Sequence, residues 1–231
     1  MKKLAITMGC AMALTGASFA QGLVNWNSFL PTGIKVQTNS TAYSPLFGGA
    51  ATGSGVVGST VAGAGNFFYE LLYLGGAQVS APTSLAGLEG WSDAGLAAQS
   101  GNSAGTVAGI NVNAGATVPW AVGTTDNIVL VGWSADLGTT WGVVSNELAT
   151  GSYQTVLAGQ QGFFGISTAG YEAANGSSPG TTLFSNAAQS QGTPITSPAT
   201  QLFLLPVPEP TTLALAGLGG LSLLLFRRQR K

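Results

Sequence analysis

From Gly22 to about Pro206 the chain alternates short apolar stretches with clusters of Gly, Ser, Asn and Pro. Short apolar runs bounded by turn-forming residues read as strands. On that pattern strands are predicted over Ile34–Thr38, Phe67–Leu74, Thr106–Val112, Val118–Val122, Asn127–Ser134, Trp141–Val144, Tyr153–Leu157, Phe163–Ser167, Thr181–Phe184 and Gln201–Leu205. In Phe67–Leu74 one face carries Phe67, Tyr69, Leu71 and Tyr73, and the other mixes Phe68, Leu72 and Leu74 with Glu70, which predicts a strand buried on both faces. Asn127–Ser134 sets Ile128 and Leu130 against Val129, Val131 and Trp133. Many short strands with turn signals between them predict an all-β, sandwich-like domain of jelly-roll or immunoglobulin-like type, with Gly/Ser-rich loops.

One helix is predicted around Ser84–Ser100, where Leu85, Leu88 and Leu96 fall near one face, although Gly87, Gly90 and Gly95 weaken it. Ala50–Asn66, made of small residues, reads as a loop or a hairpin, and Asn186–Thr200 as an irregular connection. No internal repeat is evident, which argues against a solenoid.

The two ends follow other rules. Lys2 and Lys3, an apolar run from Leu4 to Thr15, and Ser18-Phe19-Ala20 have the three parts of a signal peptide. Cleavage between Ala20 and Gln21 is expected, by a signal peptidase. An apolar run of that length is too short to span a bilayer, which takes about 20 residues. At the other end stand Val207-Pro208-Glu209-Pro210-Thr211, then the uncharged run Thr211–Phe226, then Arg227, Arg228, Gln229, Arg230 and Lys231. The prolines keep the approach extended. The run would make a transmembrane helix of about 24 Å at roughly 1.5 Å per residue. The basic cluster would hold its end in the cytoplasm.

A Pro-Glu-Pro motif, an apolar helix and a terminal basic cluster in that order resemble the PEP-CTERM sorting tail. The resemblance covers about Val207–Lys231. It implies recognition and removal of the tail by a membrane-embedded exosortase, and a setting of exopolysaccharide and biofilm. The expected organisation is a signal peptide at 1–20, an exported β-rich domain at 21–206 and the tail at 207–231. The precursor would sit transiently in the inner membrane, and the product at the cell surface or outside the cell.

Composition narrows what the middle can do. Hydrophobic residues make up 45% of the chain, enough for a core, but charged residues only 6%, where about a quarter is usual. Between the ends stand Glu70, Glu89, Asp93, Asp126, Asp136, Glu147 and Glu172 against the single basic residue Lys35, a net charge of −6. Phosphate recognition rests on Lys and Arg, so nucleic acid is not an expected partner.

That region has no His, Cys or Arg, which removes the usual neutral-pH base, the thiolate nucleophile and His/Cys zinc ligation. Carboxylates remain. Glu89 and Asp93 stand four apart, so a helix would carry both on one face. A carboxylate pair can hydrolyse a glycosidic bond at the right separation, but a solvated helix edge is the plainer reading. Calcium accepts oxygen ligands alone. Asp126, Asn127 and Asp136 are conceivable donors, but no D-x-D-x-D loop is present. Gly53-Ser54-Gly55-Val56-Val57-Gly58 matches G-x-G-x-x-G by letter without the strand, helix and acidic residue the motif needs. Trp26, Trp91, Trp120, Trp133 and Trp141 could stack on sugar rings, although core packing is the commoner use. The reading assigns no catalytic residue, metal or cofactor. It favours a non-enzymatic surface or matrix protein with polysaccharide as a candidate partner, over a carbohydrate-active or calcium-dependent glycan-binding domain.

Overall fold

The computed structural model describes residues 21–26, 35–47, 57–109, 115–187, 189–196, 200–207 and 218. Two strands with apolar side chains on both faces form its centre. β4 (Phe67–Leu74) pairs antiparallel with β8 (Thr125–Ser134) in unbroken register from Phe67↔Ser134 to Leu74↔Asn127. Outward from β4 come β5 (Ser92–Ser100) and β6 (Val107–Gly109). The other edge of β8 is shared by β9 (Phe163–Ile166) and β10 (Gly170–Ala173). Beyond β9 lie β13 (Thr200–Leu204), β2 (Val36–Tyr43) and β3 (Val57–Ser59), and β12 (Gly192–Thr193) pairs with β10. The sheet is mixed, because β13 runs parallel to β2.

Each face of this sheet is covered by a different kind of layer. On one side Tyr69, Leu71, Leu96, Ile128, Leu130 and Leu202 meet the three-stranded sheet β11–β1–β7, where β1 is Gln21–Asn25, β7 Ala116–Ala121 and β11 Thr181–Thr182. Val24, Trp26, Val118 and Trp120 fill the space between the two sheets. On the other side Leu72, Val129, Val131, Trp133 and Phe164 meet two helices, α1 (Trp141–Thr150) and α2 (Tyr153–Leu157). Full burial of an apolar side chain stabilises by about 1.5–3 kcal/mol, and β8 is buried along nearly its whole length. Two sheets packed face to face are consistent with the all-β expectation, and the helices add a third layer.

Three expectations are corrected. Trp141–Val144 and Tyr153–Leu157 are helical, not strands. Val144 and Leu148, then Tyr153 and Leu157, are buried at i, i+4 spacing against the sheet, and Gly151 ends α1 in the left-handed region at φ 74°. Those are helix signals, although Trp, Val, Thr and Tyr favour strands as isolated residues. Ser84–Ser100 is not a helix. A 3-10 turn over Ala86–Leu88 precedes β5, where Ala94, Leu96, Ala98 and Ser100 alternate inward. Gly95, at φ +70°, lies where β5 slips register against β4. The described part of the Gly-rich motif, Val57-Gly58, lies in β3, so a strand and not a helix follows it.

Candidate functional site

The chain leaves the fold from an inner strand. β13 lies between β2 and β9. The Ser44 N–H donates to the Leu204 carbonyl at 2.9 Å, and the Leu205 N–H to that of Gly162 at 2.9 Å. The Tyr153 hydroxyl donates to the Pro206 carbonyl at 3.4 Å. Leu205 is buried and Val207 packs on the helix-side core. The next expected sorting residues, Pro208, Glu209, Pro210 and Thr211, lie outside the described residues, as do Arg227, Arg228, Arg230, Lys231, Ala20 and the signal segment. Gln21 is the exposed first residue of β1. No helix among the described residues is long and apolar enough to cross a membrane. Within 211–226 only Leu218 is described, so the expected transmembrane helix lies outside them.

The tryptophans divide three to two. Trp26 and Trp133 are fully buried and donate their indole N–H groups to the carbonyls of Ala97 at 3.1 Å and Gly138 at 2.8 Å. Trp120 lies buried beside Tyr73. Trp91 and Trp141 are only half-buried and line one cleft of about 630 Å³. One wall is the turn before β5. Successive three-residue bonds (Leu88 N–H to Leu85 at 3.0 Å, Trp91 N–H to Leu88 at 3.0 Å) bring Leu85, Leu88 and Trp91 to one side of it. The facing wall is α1, through Trp141, Ser145, Leu148 and Ala149 at i, i+4, i+7 and i+8, with Asn146 beside them. The ring of Trp141 stacks on Phe164 at 6.2 Å and 9° and lies tilted against Trp133 at 5.8 Å.

The carboxyl groups are arranged otherwise than the spacing implies. Glu89 is exposed at the cleft, and Asp93, in β5, is not beside it on a helix. Asp93 instead reaches Glu70 of the neighbouring strand. Burial, the charge of Asp93 and a hydrogen bond with it push the Glu70 carboxyl up to about 8. Glu172 is opposite Asp126 in the β10–β8 register, and both are buried. Burial raises Asp126 and pushes Glu172 up to about 8. Neither Glu172 oxygen has a hydrogen-bond partner. The signal for both buried glutamates is a carboxylate set within an otherwise apolar or alternating stretch, but its partner is visible only in the sheet.

The conceived calcium donors do not converge. The Asn127 amide donates to the carbonyls of Leu74 and Ala77 at 3.0 and 2.9 Å and accepts from the Val79 N–H at 2.8 Å. Asp136 is exposed in a separate 3-10 turn over Ala135–Leu137. Among the described residues no three of His, Cys, Asp and Glu cluster in a way that could hold a metal ion.

Residues 206–231 match the PEP-CTERM protein-sorting motif, which marks an exported, exosortase-processed protein. The match begins at Pro206, the residue whose carbonyl is held by Tyr153. No curated protein and no solved structure matches the chain.

Proposed function

We propose that this chain, which carries the PEP-CTERM sorting motif at residues 206–231, is a non-enzymatic protein of the cell envelope or extracellular matrix, working in contact with exopolysaccharide. In this reading a signal peptidase cuts between Ala20 and Gln21. The apolar run 211–226 holds the precursor in the inner membrane with Arg227–Lys231 in the cytoplasm, and an exosortase then removes the tail. The motif match carries the proposal. A non-enzymatic role is supported by the carboxyl geometry: among the described residues Glu89 is the one carboxylate lining the cleft, whereas glycoside hydrolysis takes two flanking the bond.

Fractionation of cells expressing Glu209→Gln or a deletion of Arg227–Lys231 tests the route. The expected result is an unprocessed chain retained in the inner membrane. Wild-type processing and delivery in both variants would count against the sorting reading, and reproducible glycan hydrolysis lost in Glu89→Gln against the non-enzymatic one. A second reading, a glycan-binding domain, is favoured by the two half-buried tryptophans that share one cleft.

A further inference from the structure

We propose that the cleft between the Leu85–Trp91 turn and α1 is a binding site for a neutral polysaccharide, held on the indole rings of Trp91 and Trp141. It develops the glycan-binding reading and draws on surface display only for where the ligand is met.

The fold has room to bury indoles, as Trp26, Trp120 and Trp133 show. It nevertheless leaves Trp91 and Trp141 half-buried on facing walls of the same cleft. Its apolar lining comes from Leu85, Leu88 and Leu148, and its polar groups are the Glu89 carboxylate, the Ser145 hydroxyl and the Asn146 amide. That set combines an aromatic platform with both donors and acceptors. A pyranose ring matches it, with C–H groups on its face and hydroxyls around its rim. An apolar peptide would instead desolvate the carboxylate and the amide without replacing their hydrogen bonds.

Charge selects within the sugars. Among the described residues the cleft holds one carboxylate and no cation, and Lys35, the only basic residue between the two ends, lies away from it against Gly105. A uronate, sulfate or phosphate group would find nothing to neutralise it. A volume of about 630 Å³ is within the usual range for sites that take small ligands.

The test uses the full-length chain in a polyoxyethylene detergent, because glucoside and maltoside detergents carry the ligand's own chemistry. Cellohexaose, laminarihexaose and mannohexaose are titrated by calorimetry and tryptophan fluorescence, with hexagalacturonate and tetramethylammonium chloride as charged comparisons. Saturable binding of at least one neutral hexasaccharide is expected. Trp91→Ala and Asn146→Ala should each weaken it tenfold or more, with the melting temperature of Asn146→Ala unchanged. Three flat titrations with the neutral sugars would overturn the proposal. So would binding that survives both substitutions, or binding of hexagalacturonate or tetramethylammonium in preference to every neutral sugar. Trp91→Ala should be exported and processed as the wild type is. Failure to bind sugar by a normally delivered protein therefore rejects the site alone, whereas sugar binding by a wild-type chain that is never exported rejects the surface reading alone.

Discussion

Raising the pH from 5 to 8 should destabilise this fold, and Glu172→Gln should remove about half of the loss. Glu172 is 2% exposed, with neither oxygen hydrogen-bonded, between the two sheets opposite Asp126. Its carboxyl is pushed by burial from 4.5 to about 8, and that of Glu70 from 4.5 to about 8 by burial and by Asp93. The folded protein therefore keeps both protons at pH values where the unfolded chain has released them. With fewer protons bound to the unfolded state, stability falls as pH rises, by about 1.4 kcal/mol per pH unit for each group. The stabilisation is fully present below 4.5 and exhausted above about 8. Two groups together give a slope near 3 kcal/mol per unit, set against a total stability of about 5–15 kcal/mol. Asp126 and Glu147, also raised by burial, act in the same sense. Urea unfolding followed by tryptophan fluorescence at pH 5, 6, 7 and 8 and constant ionic strength measures the slope. In Glu172→Gln it should drop by about half, the variant overtaking the wild type toward pH 8, while Glu89→Gln at the exposed cleft position leaves it unchanged. A stability that is flat or rising over this range, or equal slopes in wild type and Glu172→Gln, would show that Glu172 is not held protonated in the fold.

Three further substitutions test the packing. Asn127→Ala removes the amide that holds Leu74, Ala77 and Val79. It should cost about 2–4 kcal/mol and open the 75–91 segment to limited proteolysis, and an unchanged urea midpoint would refute that. Gly165→Ala would drive a methyl into the Gln201 carbonyl where β9 meets β13, with an expected loss of about 3 kcal/mol or more. At Gly142, an exposed position on α1 with open space around it, the same change should stabilise by roughly 0.5–1 kcal/mol. Thermal denaturation of the two variants, moving in opposite directions, checks both.

Several elements were legible because their signals are local. Phe67–Leu74 and Asn127–Ser134 have apolar side chains on both faces, and they became the two central strands. The strands β5 and β10 were missed because small or polar residues (Ala94, Ala98, Gly170, Glu172) carry their inward positions. A period-2 pattern built from alanine and glycine has little contrast. The helices at 141–157 look like strands in sequence for the converse reason: β-favouring residues occupy them, and their i, i+4 burial is decided by the sheet they cover.

The β-rich character and the sorting tail are legible along the chain, since strand periodicity and a linear motif are both properties of neighbouring residues. Which carboxyls are buried and which tryptophans stay accessible follows from tertiary packing. Glu70 meets Asp93 where β5 slips register against β4, and Glu172 faces Asp126 across the β10–β8 pair. Trp91 and Trp141 share a cleft because a 3-10 turn and a helix from distant parts of the chain pack over the same face of the sheet. Desolvation and shared cavities depend on distances through space, and those exist only once the layers have closed on one another.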